Sequence, residues 1–177
     1  MFAVDELVVY PAQGVGKVDR IESQDIGGIS TELYIVRILS NNVTLMVPVV
    51  NAANVGLRPV YTQTQAMEIM EYLTDRSDFT GYSGQNWNRR YREYSEKLKS
   101  SELQDVAYVL KELILIGKDK ELSFGERRLL EQAMGLITLE LSFALGLTQE
   151  EVKARIEDLF VDILKPRDDE DGEDAGE

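Results

Sequence analysis

The chain has 177 residues, 44% of them hydrophobic, and a formal net charge of −13. Its length allows one domain, or two small ones, around a real core. It contains no histidine and no cysteine, which excludes disulfides, thiolate metal sites and any catalysis by a nucleophile–histidine pair. The opening stretch, Met1-Phe2-Ala3-Val4-Asp5-Glu6, carries acids at once and no basic side chain, so no secretory signal is predicted. No apolar run approaches the ~18 residues needed to span a bilayer. A cytoplasmic protein with no membrane partner is expected.

Residues 1–60 read as β structure. Leu7-Val8-Val9-Tyr10 is a short apolar strand stopped by Pro11, and Gly14 and Gly16 bracket a predicted tight turn. Lys17-Val18-Asp19-Arg20-Ile21 then alternates apolar and polar residues, as a half-buried strand does. Gly27-Gly28 signals a turn into Glu32-Leu33-Tyr34-Ile35-Val36-Arg37-Ile38-Leu39. Asn41-Asn42 turns the chain again into Val43-Thr44-Leu45-Met46-Val47, which Pro48 ends. Four or five short strands with tight turns predict a small curled sheet or barrel of Tudor or SH3-like size. Such a sheet keeps an exposed edge that can pair with another protein's strand, unless charge or a bulge blocks it.

Residues 51–56 predict one turn of helix closed by Gly56, and residues 64–73 a helix with Ala66, Ile69, Met70 and Leu73 on one face. A loop follows and leads to Gln85-Asn86-Trp87-Asn88-Arg89-Arg90-Tyr91-Arg92, which holds the single tryptophan and three arginines. Two readings stay open for it. Trp87, Tyr91, Tyr94 and Leu98 recur at helical spacing, which suits a core stripe with the arginines as a solvated face. A tryptophan at the mouth of a helix with cations on the next turn also suits a wedge against a nucleobase beside phosphates. Further on, an amphipathic helix carries Leu103, Val106, Ala107, Leu110, Leu113 and Ile114 and is expected to close near Gly117. Ser123-Phe124-Gly125-Glu126 has capping-box spacing. Arg127 and Arg128 in the turn after it oppose the helix dipole at a cost of a few tenths of a kcal/mol, which points to a role other than stability. That helix becomes almost wholly apolar after Met134, is expected to be the central buried one, and ends at Gly146. A last helix, capped by Thr148, buries Val152, Ile156, Leu159, Phe160 and Ile163 and stops at Pro166. The expected organisation is a β-domain over residues 1–60, a helical domain over 61–165 and an acidic tail over 166–177. The final ten residues hold seven acids and no base, which predicts disorder.

Little here supports catalysis. The carboxylate pairs, such as Glu150-Glu151, lie at capped helix starts, where stability explains them. Gly14-Val15-Gly16-Lys17 lacks phosphate-loop spacing. Residues 144–152 have the form of a helix-turn-helix corner, but acids occupy the second helix, so the corner reads as packing. No metal site, cofactor or small-molecule substrate is expected, and elimination leaves a binding protein. The overall acidity opposes polyanions, so any nucleic-acid contact should be confined to the local positive density of Arg89, Arg90, Arg92, Lys97 and Lys99.

Val8-Val9-Tyr10-Pro11-Ala12-Gln13-Gly14-Val15-Gly16-Lys17-Val18 resembles the opening of the CarD/CdnL family of bacterial transcription regulators. Val47-Pro48, Asn51-Ala52, Val55-Gly56-Leu57-Arg58, Asn86-Trp87, Arg89-Arg90-Tyr91, Leu122-Ser123, Gly125-Glu126 and Arg128 continue the similarity, which covers nearly all of residues 2–164. The resemblance implies an α+β protein, with a Tudor-like β-domain that docks on the RNA polymerase β subunit and an all-α domain that contacts promoter DNA. It implies a tryptophan that wedges into the minor groove at the upstream edge of the melted region, without reading sequence. Trp87 matches that position. Asn86, Arg89, Arg90 and Arg92 become its expected neighbours on DNA, and Arg127 and Arg128 a second cationic patch. On the polymerase side the implied contacts are Gln24, Ile26, Val36, Met46 and Pro48. Gln24 and Met46 stand where some members carry arginine, so docking here is expected to rest on strand pairing and apolar contact more than on charge. A monomer, associated with the nucleoid through polymerase, is the expected state. The rival reading is a protein–protein adaptor whose helical domain binds another protein and not DNA.

Overall fold

In the computed structural model, which describes residues 1–81, 84 and 87–164, the chain forms an antiparallel sheet followed by helices. The strands are β1 (Leu7–Tyr10), β2 (Gly14–Ile26), β3 (Ile29–Ile38), β4 (Thr44–Pro48) and β5 (Arg58–Pro59), in the order β4-β3-β2-β1-β5. This is the predicted α+β arrangement, with a small Tudor-like sheet first. Gly27 and Gly28 both take left-handed φ values, 64° and 82°, and join β2 to β3 in a two-residue turn. Asp25 Oδ1 accepts from the Gly28 amide at 2.8 Å. The turn expected between Gly14 and Gly16 falls earlier, on Ala12 (φ 66°) and Gly14 (φ 82°). Gly16 is already in β2, where a Cβ would lie 2.7 Å from Val36 Cγ1, so the β2–β3 approach requires its hydrogen.

Alternation along these strands decides which face each side chain takes. Val8, Val18, Tyr34, Val36, Ile38 and Val47 point to one side and are covered by Ala52 and Leu57. A 3-10 turn (Val49–Asn51) and the chain up to Gly56 (φ 85°) carry that cover, close to the predicted turn of helix. A bulge between Val18 and Arg20 shifts the register of β2 against β3.

The helices are α1 (Gln63–Thr74), α2 (Trp87–Leu98), α3 (Leu103–Asp119), α4 (Phe124–Leu145), α5 (Gln149–Leu159) and α6 (Val161–Leu164). Capping boxes start α1 (Thr62 with Gln65), α4 (Ser123 with Glu126) and α5 (Thr148 with Glu151). Each satisfies two otherwise orphaned backbone donors. α4 is the central helix, touching α1, α2, α3, α5 and β2, and Gly146 ends it at φ 66°. Leu110, Leu113, Ile137, Leu141 and Phe160 are fully buried around it, each worth about 1.5–3 kcal/mol against exposure. Two expected boundaries move. α3 continues through Gly117 to Asp119, and the last helix breaks at Phe160, whose buried ring anchors the break before α6. No single helix among the described residues is long and apolar enough to cross a membrane.

A buried ion pair joins sheet to bundle. Arg58 Nη1 and Nη2 donate to the two carboxylate oxygens of Glu140 on α4, at 2.6 and 3.0 Å. Glu140 also accepts from the Tyr61 amide at 3.0 Å, and Arg58 Nε donates to the Ser101 carbonyl. The Arg58 guanidinium lies 4.4 Å from the Tyr61 ring centroid.

Candidate nucleic-acid interface and docking face

Trp87 opens α2 and is half-buried. One edge of its indole lies on α4 at Gly125, where a Cβ would approach Trp87 Cζ2 to 3.1 Å. The Tyr91 ring packs 5.4 Å from it, centroid to centroid, at 58°. The ring therefore touches the bundle core at its rim without being sealed into it. The stripe expected along α2 is also displaced. Arg90, Tyr94 and Leu98 are its buried residues, whereas Tyr91 is 45% exposed.

Arg90 needs correcting as a phosphate contact. It is only 9% exposed, and its Nη2 lies 3.5 Å from Glu126 Oε1, with the guanidinium 6.0 Å from the Trp87 ring centroid. Glu126 is fully buried and accepts from Lys120 Nζ at 2.7 Å and from the Ser123 amide at 2.8 Å. Burial alone would raise the Glu126 pKa, but the Lys120 and Ser123 hydrogen bonds outweigh it and hold the carboxyl below its ordinary range. A cation–carboxylate layer thus lies behind the indole and ties α2 to the start of α4. Arg89, Arg92, Arg127 and Arg128 are exposed, as is Phe124. Asn86 and the acidic segment lie outside the described residues.

The loop before Trp87 is anchored by an unexpected residue. Lys111 on α3 is buried, and its Nζ donates to the Asp75 carbonyl at 2.8 Å and to Asp78 Oδ1 at 2.9 Å, while lying 3.7 Å from the Tyr72 ring centroid. Read as a sequence, Lys111 is one polar position in an amphipathic helix, and nothing local marks it as buried. Lys97 is partly withdrawn too, with Asp105 at 3.4 Å and the Tyr108 ring at 4.7 Å.

On the sheet, cross-strand register groups the docking candidates. Arg20, Ile35 and Met46 form one row across three strands, and Glu22, Leu33 and Pro48 the next. Gln24 pairs with Thr31, and Ile26 with Ile29. Gln24, Ile26, Met46 and Pro48 therefore share one face. Met46, Ile26 and Ile29 expose apolar surface there, and Glu22 accepts from both Arg20 and Gln24 at 2.8 Å. The Arg20 hydrogen bond is the main reason that the Glu22 carboxyl is held below its ordinary range. Val36 is corrected. It pairs with Val18 and Leu45 on the opposite face and is 0% exposed, so its side chain serves the core and not a partner. Its neighbour Ile35 stands in the Met46 row but is itself only 1% exposed, so it underlies that face without offering surface to a partner. β4 lies at one edge of the sheet. Among the described residues no group of three or more metal-type side chains converges.

Comparison with known proteins bears on both halves. The family profile of the CarD-like/TRCF RID domain matches residues 2–61, and that of the CarD C-terminal domain matches residues 68–157. A protein of Bacillus subtilis (strain 168) named as a candidate transcription factor, YdeB, is 27% identical over 154 residues, which cover 87% of this chain and 99% of that protein. With the sheet matched by one profile and the helical bundle by the other, in the order in which they follow along the chain, the chain belongs to the CarD family.

Proposed function

We propose that the chain is a transcription regulator that docks on the RNA polymerase β subunit through its sheet and stabilises the open promoter complex through Trp87. The observation that carries this reading is the indole itself. It stands half-exposed at the first residue of α2, propped on Gly125, on a helix that also carries the exposed Arg89 and Arg92, in a chain of net charge −13. A wedge between base steps costs a few kcal/mol of unstacking per step. That cost is least where the duplex is already opening, so the protein binds the open state better than the closed one and shifts the equilibrium toward it. The wedge needs no sequence readout. Docking through the β4 edge and the face of Gln24, Ile26, Met46 and Pro48 supplies local concentration, so weak DNA contact suffices for an acidic protein.

Trp87→Ala is expected to leave polymerase binding intact and to shorten the open-complex lifetime. Stacking on one base is worth about 1–3 kcal/mol, so dissociation should be about 5- to 150-fold faster. Competitor-challenge lifetimes on a purified promoter measure this, and unchanged lifetimes would refute the wedge. Arg89→Glu with Arg92→Glu should weaken the same complex, and the salt slope should flatten by about one for each phosphate no longer neutralised. If that double variant matches the wild type at low salt, the two arginines are a solvated face.

A further inference from the structure

Phe124 is 73% exposed at the first position of α4. A lone exposed apolar residue is ordinary, but this one adjoins Gly125, the residue on which the Trp87 indole rests. Tyr91, also substantially exposed, packs against that indole as well. Three aromatic residues thus gather at one corner of the bundle. The capping box does not require an aromatic there, because it uses only Ser123 and Glu126. Arg127 and Arg128, both exposed, follow Phe124 on the next turn of α4, three and four residues on and so on the same side of the helix. Aromatic faces set among arginines form the surface on which unpaired bases stack while cations hold the backbone.

We propose that Phe124 is a second base contact, stacking on a nucleobase that becomes unpaired at the edge where Trp87 enters. This rests on the wedge reading of Trp87 and extends it from one ring to two. Trp87 separates the step, and Phe124 holds a base that has left the stack. A phenyl ring offers a π face and no directional hydrogen bond, so the contact tolerates any base.

The test uses the full chain with polymerase and promoter DNA, comparing wild type, Trp87→Ala, Phe124→Ala and Phe124→Leu. Phe124→Ala should shorten the open-complex lifetime about fivefold or more, with Phe124→Leu in between because it keeps bulk and loses the π face. On a pre-melted template with abasic sites at the upstream edge, wild type and Phe124→Ala should be equal, since the stacking partner is gone. If Phe124→Ala matches the wild type while Trp87→Ala does not, this inference fails and the wedge stands. If both match the wild type, the wedge fails as well. A Phe124→Ala defect that persists on the abasic template, or weaker polymerase binding without DNA, means that the ring meets protein and overturns the assignment.

Discussion

Glu126→Ala is expected to destabilise the helical domain by about 3–5 kcal/mol, the range found when one partner of a buried ion pair is removed. Glu126 is fully buried and serves three groups: it accepts from Lys120 and from the Ser123 amide, and it faces Arg90. Truncation removes the carboxylate that faces Arg90 and takes half of the α4 capping box with it. Glu126→Gln keeps the shape and an acceptor for the Ser123 amide, so it should cost less. Urea unfolding of the three proteins measures the order. The pH dependence adds a second check. The folded-state pKa of Glu126 lies below the unfolded value, so its ionisation contributes stability above the ordinary carboxylate pKa of 4.5. That contribution is lost as the pH falls through the lower, folded value. The wild type should therefore lose stability on acidification more steeply than Glu126→Gln. Equal slopes would mean that the carboxylate is not held ionised by Lys120 and Ser123. A functional effect should follow too, because the same layer supports the indole. In the fraction of Glu126→Ala that remains folded, the open-complex lifetime should also fall.

Glu140→Ala should uncouple the two halves of the molecule. Glu140 is buried on α4, takes both forks of the Arg58 guanidinium and accepts from the Tyr61 amide. Its loss strands a largely buried cation at the junction, at an expected cost of about 3 kcal/mol. The sheet and the bundle should then unfold in two separated transitions, where the wild type shows more cooperative loss. A double-mutant cycle with Arg58→Ala isolates the pair, and a coupling near zero would mean that the bidentate contact carries no net stability. The functional consequence follows from geometry. Polymerase binding through the sheet should survive Glu140→Ala, while the effect on open-complex lifetime should drop, because a tethered wedge works only when its orientation lets both contacts form together. If Glu140→Ala keeps the full lifetime, the junction does not aim Trp87.

The two site residues that moved did so for separate physical reasons. Val36 belongs to Leu33-Tyr34-Ile35-Val36, where all four side chains are buried. Alternation cannot be read from a run that is apolar on both faces. A shift of one residue sends a side chain to the opposite side, and here the pairing of Ile35, not Val36, with Met46 decides the matter. Arg90 sits between Arg89 and Tyr91 in a run of similar charges; only its helical phase, three residues after Trp87 and four before Tyr94, sets it apart from Arg89 and Arg92. It turns inward because α4 brings a buried carboxylate beneath it. Gly125 read as one residue of a capping box, and its role as the surface under the indole exists only because α2 and α4 pack together.

What the amino-acid order determined by itself is what short-range rules govern. The Gly27-Gly28 hairpin, the capping boxes at Ser123 and Thr148, the left-handed stop at Gly146 and the division into sheet and helices depend on residues within a few positions of one another. What only the tertiary structure decided is which charges face water. Lys111, Glu126, Glu140 and Arg90 are buried by contacts with segments distant along the chain. A charged side chain looks the same in sequence whether solvent or a buried partner compensates it, and only the packing of remote elements supplies that partner.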